Sequence, residues 1–333
     1  MVGRIPPTLQ LGAACRLVSQ SLPDVQSAGA KLYNAAQAGR IDLTWTYGSW
    51  LGGEVRQTVL IAPSSGRTAA VFVSETPASG EPGGPEASRR ERIAVLEFAA
   101  AELARTKNVD VSVLQALPEP GDQPVVDALR GAGFVHVGEL VYLRRWIGKG
   151  GSPPPPAAGL PAGFTMRALA ELGDVESWRG VLIRVLESSY EQTLDCPALC
   201  GLRDTSDVLD SHLAVGNFDP SLWFIVTEQG AGVGPGESVP VGCMLFSKCS
   251  DQRSVELVYL GLSHAVRGKG LSTAMLSMGI RTIIERVPRS GYDWLVCAVD
   301  RQNAPAAALY RKAGFRPCGD RVALVRRIDT VRV

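Results

Sequence analysis

The sequence predicts a mixed α/β fold built as two similar halves, and three observations carry that prediction. Helix-patterned runs alternate with short strand-like runs along the chain. A proline- and glycine-rich seam, "GKGGSPPPPAAGLPAG" at 148–163, divides it near the middle. The order of elements before the seam then reappears after it.

In the first half, strand-like runs are "IDLTWTYGSW", "VRQTVLIAP" and "TAAVFVSET". A helix follows in "RRERIAVLEFAAAELART", then the strand "VDVSVLQAL", a helix around "PVVDALRGAG" and the strand "VHVGELVYLRR". The second half opens with the helical runs "ALAELGDVESWRGVLIRVLESSY" and "SDVLDSHLAVG". The strands "SLWFIVTE", "VPVGCMLFS" and "SVELVYLGLS" come next, then a helix over 271–287. The strand "DWLVCAV", the helix "APAAALYRKAG" and the strand "RVALVRRI" complete it. Laying "NAPAAALYRKAGF" (303–315) over "DQPVVDALRGAGF" (122–134) matches Pro305 with Pro124, Arg311 with Arg130 and AGF with AGF. AGF is a common helix ending, because glycine suits the left-handed cap. At the same place in the same element order it argues for an internal duplication. The expected organisation is residues 1–147 as one domain, 148–163 as a semi-rigid polyproline linker and 164–333 as a second domain.

A chain of 333 residues with 45% apolar content has ample material for two cores. A formal net charge of +1 gives no reason to expect nucleic acid or an anionic membrane as partner. Seven cysteines without CxxC pairs or histidines at ligand spacing read as reduced thiols with no metal site. The first twenty residues lack a signal peptide's apolar core, and no run reaches membrane-spanning length. The expected location is therefore cytoplasmic.

The stretch with the most chemical content is "VRGKGLSTAMLSMGI", 266–280, where two glycines among cations run into a helix. It reads either as a turn with solvated cations or as an anion cradle. In a cradle, glycines let backbone N–H groups converge, and the helix adds its positive end. It is neither a Walker loop nor a Rossmann fingerprint.

Arg267, Gly268, Lys269, Gly270, Leu271 and Ser272 resemble the acyl-CoA loop [Q/R]xxGx[G/A] of the GNAT superfamily of N-acetyltransferases, with Ser272 where glycine or alanine is usual. The preceding "ELVYLGLS" looks like the family's splayed strand, and "NAPAAALYRKAGF" resembles its second cofactor motif. This resemblance covers residues 164–333. It implies two tandem domains, each a mixed, mostly antiparallel sheet flanked by helices. It also implies acetyl-CoA as default donor, bound by Leu260, Gly261, Leu262, the 267–272 loop and Asn303. Tyr310 matches the family's tyrosine near the coenzyme sulfur and is the candidate general acid. Glu256, out of place in an apolar strand, is the candidate base; burial would raise its pKa, and a period of two would set it on the face of Leu262. The alternatives are a core-packed tyrosine and a strand-end carboxylate.

The acceptor side, "SSYEQTLDCPALCGLRDTSDVL", offers Tyr190, Glu191 and Asp195 for a cationic amine. His212 and His264 read as packing or surface histidines. In the first half, "PASGEPGGPEASRRER" puts Gly83 and Gly84 before Pro85 and Glu86, and Leu129 stands where the second half has Tyr310. That half reads as a degenerate copy without cofactor; Arg89, Arg90 and Arg92 read as a solvated helix start. The tandem layout with one working half is similar in architecture alone to that of mycothiol synthase. The implied function is N-acyl transfer to a primary amine, most naturally of a small molecule. The rivals are a protein or peptide N-acetyltransferase and a non-catalytic acyl-CoA sensor or scaffold.

Overall fold

The computed structural model describes the whole chain except residues 78–79, 81–82, 108, 152, 154–158, 174, 231–237, 288–290 and 329–333. Much of the proline run in the expected linker therefore lies outside the described residues. In chain order the elements are β1 (Val2–Arg4), α1 (Gln10–Leu17), α2 (Val25–Gln37), β2 (Thr46–Leu51), β3 (Glu54–Ser64), β4 (Thr68–Val73), α3 (Pro85–Arg105), β5 (Val113–Ala116), α4 (Gln123–Gly131) and β6 (Val135–Trp146). They continue with β7 (Phe164–Ala168), α5 (Val175–Tyr190), α6 (Thr205–Leu213), β8 (Trp223–Gln229), β9 (Ser238–Cys249), β10 (Ser254–Leu262), α7 (Leu271–Arg286), β11 (Trp294–Asp300), α8 (Ala304–Lys312) and β12 (Arg316–Arg327). The mixed α/β class is as expected. β1, β7 and the two helices α1 and α2 are additions to the elements read from the sequence. The start of α2 is marked by Asp24, whose carboxylate accepts from Ser27 N at 2.8 Å.

Two compact units divide the chain: Met1–Gly138 with Asp320–Val333, and Glu139–Gly319. The division differs from the expected boundaries at the last strand of each half. From Leu140 onward β6 pairs with β11 in the second unit, and Leu324–Arg327 of β12 pair with β5 in the first. The sheet of the first unit runs β1-β2-β3-β4-β5-β12, and that of the second β6-β11-β10-β9-β8-β7. In each, one parallel pair (β4 with β5, β10 with β11) sits among antiparallel neighbours. A long helix, α3 or α7, makes the connection between the parallel strands.

The duplication read from the sequence reappears in cap geometry. Asp122 and Asn303 cap α4 and α8 by accepting from Val125 N and Ala306 N. Both helices end on a positive-φ glycine, Gly133 and Gly314. Phe134 N donates to Leu129 O and Phe315 N to Tyr310 O, each at 3.0 Å. The first unit packs Val59, Ile61, Leu96, Leu103, Leu129 and Phe134 into one core. The second has apolar residues on both faces of its sheet. Met244, Phe246, Leu257, Met275 and Ile280 lie on the α7 side, and Trp178, Leu186, Trp223 and Leu245 on the α5 side. Each such buried side chain contributes roughly 1.5–3 kcal/mol of transfer free energy. α7 approaches β9 so closely that a Cβ on Gly279 would lie 2.5 Å from Met244 Cε and 2.8 Å from Phe246 Cε2.

Candidate active site

The two parallel strands of the second unit are paired only at their start. β10 meets β11 at Ser254–Glu256, opposite Trp294–Val296, and no register continues beyond Glu256. β9 goes on pairing with β10 as far as Leu262, and β6 with β11 as far as Asp300. Each strand is thus held on its outer edge while the inner edges part, leaving a wedge-shaped gap with Glu256 at its apex.

A bulge contributes to this shape. Between Leu257 and Tyr259 the β9–β10 register shifts, so one residue of β10 has no partner of its own on β9. Leu257, Leu260 and Leu262 then lie with the α7 core, whereas Val258 and Tyr259 pack with the α5 core. The expectation that Glu256 and Leu262 share a face is therefore overturned. Glu256 pairs opposite Ser247, in step with Leu245 on the α5 side, because the extra residue resets the period of two. Gly261 lies where a Cβ would meet the Tyr259 ring at 2.5 Å and Ser189 Cβ at 2.9 Å. It is needed for space, since its φ is not positive.

At the wide end, a single 3-10 turn at His264–Val266 leads into Arg267, Gly268, Lys269 and Gly270, and then into α7. Gly268 and Gly270 both have φ of 77°, and a Cβ on either would meet nothing within 4 Å. No side chain caps α7. Gly268, Lys269 and Gly270 are exposed, Leu271 turns its side chain inward, and Ser272 lies in the first turn. An open, positive-φ turn before an uncapped sixteen-residue helix suits a pyrophosphate, which needs converging N–H groups and no obstructing side chain.

Arg267 does not fill the role expected of it. Its guanidinium donates to three backbone carbonyls: Nε to Leu262 O at 3.1 Å, Nη1 to Gln192 O at 2.9 Å and Nη2 to Ser189 O at 2.7 Å. Donors engaged this way are not directed at a phosphate. Asn303, also expected at the cofactor, has its side chain occupied in capping α8 and in a hydrogen bond with Asp195.

Tyr310 is buried, its ring edge-on to Phe315 at 5.6 Å. Burial, then Cys297, Asp195 and Tyr259 as neighbours, raises its pKa well above that of a free phenol. Glu256 is likewise raised by burial, offset in part by the Cys249 thiol at 3.9 Å from Oε2. Both the acid and the base candidate thus favour their protonated forms relative to water.

The acceptor-side residues separate by task. Asp195 Oδ1 accepts from Asp300 N at 2.8 Å, and although much of the residue is exposed, its carboxyl is tucked in and raised mainly by burial. Glu191 is exposed. Tyr190 stands edge-on to Tyr259 at 6.2 Å, and the His212 ring lies 5.5 Å from the same tyrosine. Tyr190 Oη and His212 Nε2 are buried without a hydrogen-bond partner among the described residues. Burial and then the Arg203 charge push His212 down to about 4, so it is neutral at pH 7. Tyr259 is a part of this region that the sequence did not single out, since an isolated tyrosine carries no spacing signal, and His212 is a packing histidine here. No group of three or more potential metal ligands occurs among the described residues, and no described helix is long and apolar enough to cross a membrane.

In the first unit the corresponding turn has Gly83 and Gly84 at φ 81° and 85°, followed by Pro85 at the helix start. Arg89 and Arg90 lie 3.8 and 3.9 Å from Glu86 at the surface. Arg92 is fully buried, so it is not part of a solvated helix start.

Residues 194–315 match the Acetyltransferase (GNAT) family model. Curated relatives include the mycothiol acetyltransferase of Clavibacter sepedonicus, 27% identical over 202 residues, covering 59% of this chain and 57% of the relative. The mycothiol acetyltransferase of Parafrankia sp. (strain EAN1pec) is 29% identical over 209 residues, covering 59% and 61%. The chain thus spans somewhat over half the length of these relatives. Among solved structures, a GCN5-related N-acetyltransferase from Sphaerobacter thermophilus aligns with a TM-score of 0.59 at 17% identity, covering 98% of this chain and 95% of its own. A tandem GNAT protein from the clavulanic acid biosynthesis pathway aligns at 0.52 with 14% identity, covering 98% of each. These neighbours share the fold.

Proposed function

Because the chain carries a GNAT acetyltransferase domain over residues 194–315, we propose that its second unit transfers an acetyl group from acetyl-CoA to a primary amine, with a small molecule as acceptor. The observation that carries this reading is the gap between β10 and β11 ending at the open Gly268–Gly270 turn. Acetyl-CoA, when bound, supplies the activated thioester carbonyl. The first turn of α7 and the turn's N–H groups hold its phosphates, and Lys269 adds positive charge. Leu260 offers its gap-side N–H and C=O to an amide-bearing arm, much as a sheet edge receives an added strand.

Glu256 takes a proton from the acceptor's ammonium group, leaving the neutral amine that attacks the carbonyl. Its raised pKa makes it a stronger base than a solvated carboxylate, provided the pH is high enough to ionise it. Tyr310 stays protonated at neutral pH and donates toward the leaving sulfur. Its pKa exceeds that of a free thiol, but the same burial raises the neighbouring Cys297 thiol strongly. A thiolate departing into this environment is raised too, which preserves the match that proton transfer requires. We assign the backbone N–H near Leu262 to polarising the carbonyl.

The test is thiol release from acetyl-CoA across a panel of small amines and lysine-bearing peptides, in parent and Tyr310→Phe. Amine-dependent release that falls with the substitution supports the proposal. Tight CoA binding with no release on any amine would instead identify an acyl-CoA sensor.

A further inference from the structure

We propose that residues 189–196 form a strap across the mouth of the gap, and that Arg267 and Asp195 are its fastenings rather than ligands of phosphate and amine. The gap-facing backbone groups at the two strand ends are the starting point. Ser263 N donates to Val241 O of β9, so in that trans peptide the carbonyl of Leu262 points the other way, into the gap. That carbonyl is the one Arg267 Nε binds. On the opposite arm, Arg301 N donates to Glu139 O of β6, so the N–H of the preceding residue, Asp300, faces the gap. That N–H is the one Asp195 binds.

Between these points the strap is continuous. Ser189 Oγ and Tyr259 Oη share a hydrogen bond of 2.7 Å, and the carbonyls of Ser189 and Gln192 accept from Arg267. Asp195 N donates to Thr193 Oγ1, and Cys196 N to Asp300 Oδ2 at 3.0 Å. Two of its residues, Gln192 at φ 49° and Cys196 at φ 45°, hold left-handed backbone that non-glycine residues adopt only at a cost in strain. Both lie beside a fastening, which is what such strain requires in order to persist. The strap therefore sets the width of the opening and joins the turn that receives the donor to the strand end that leads into the Tyr310 helix. It also accounts for glutamine or arginine at the first position of the loop pattern. Both side chains carry several N–H donors for carbonyls, whereas only one carries charge.

The inference rests on reading the loop as a CoA site, and its test separates charge from geometry. Arg267→Lys keeps the charge but cannot fork onto three carbonyls, whereas Arg267→Gln loses the charge and keeps two donors. In calorimetry the glutamine variant should bind CoA within about threefold of the parent, and the lysine variant should bind about tenfold more weakly or worse. A lysine variant that binds like the parent, beside a glutamine variant that does not, overturns the proposal in favour of a phosphate ligand. Hydrogen exchange addresses the strap from its other end without needing CoA or turnover. Asp195→Ala should speed exchange both at Asp300 and in the 189–192 segment, and Asp195→Asn, which keeps an acceptor oxygen, should restore both. A change confined to Asp300 overturns the strap. If the parent fails to bind CoA, the cofactor reading falls while the exchange result still decides the strap.

Discussion

The turns that begin α3 and α7 each put a positive-φ glycine at the N-cap but differ in ψ, 170° at Gly84 and −1° at Gly270, and in chemistry. Gly84 and Gly270 both occupy the N-cap at positive φ (85° and 77°), and neither would bury a Cβ against anything. After Gly84 come Pro85, which has no N–H to offer, and Glu86, whose charge repels an anion. After Gly270 come Leu271 and Ser272, which keep their N–H groups and add no charge. α4 and α8 differ in the same manner. Their caps and closing bonds agree, yet Leu129 is fully buried where Tyr310 carries a hydroxyl. The helix closures that stabilise the fold thus agree between the two units, whereas the donors and charge at the turns, which a ligand would meet, do not.

The largest effect expected from this contrast is at Tyr310. Tyr310→Phe should lower kcat by about 10²–10⁴-fold with CoA affinity little changed, as for loss of a positioned acid. Leu129→Tyr should add no activity, since no gap residues accompany it. A steady-state assay of both variants decides this. Next is Gly270→Asp, which gives the second turn the charge the first already has. It should weaken CoA binding by about 10²-fold, and calorimetry on the parent should find one site per chain. Two tight sites would show that the first unit has kept its own.

A smaller effect concerns pH. Glu256 is raised by burial, so the acidic limb of the kcat/KM profile should fall above the ordinary carboxylate range, and Glu256→Gln should remove that limb. The same shift links to stability. A folded-state pKa above the unfolded value contributes stability at low pH that is lost as pH rises through it. The glutamine variant should therefore gain in Tm over the parent at neutral pH and not at pH 4. An unchanged rate profile would assign the base to a water or another residue. The smallest effects are those of Gly84→Ala and Gly270→Ala. In denaturant unfolding Gly270→Ala should cost about 1–2 kcal/mol and Gly84→Ala, whose ψ of 170° suits glycine alone, about 1–3 kcal/mol, with CoA affinity falling only for Gly270→Ala.

Most of the second half was legible in the sequence, because its strands are short apolar runs bounded by turn residues and its glycine turn and tyrosine helix have fixed spacing. The bulge after Leu257 was not, since an inserted residue in an apolar strand leaves no local mark. The same holds for the task of Arg267. A cation beside a glycine turn predicts an anion partner locally, and two of the three carbonyls it binds come from positions 189 and 192, far away in sequence. α1 and α2 were missed because they bury only small residues, Ala13, Ala14 and Cys15 in α1 and Gly29 in α2, which mark no apolar run.

The sequence by itself determined the α/β class, the repeated order of elements, and the absence of an N–H at Pro85 and of a hydroxyl at Leu129. Each of these follows from residue type and short-range spacing. The tertiary structure alone decided which strands belong to which unit, which face Glu256 occupies and what Arg267 holds. These depend on strand register and on contacts between distant segments, where a one-residue shift reverses a face and local pattern carries no information.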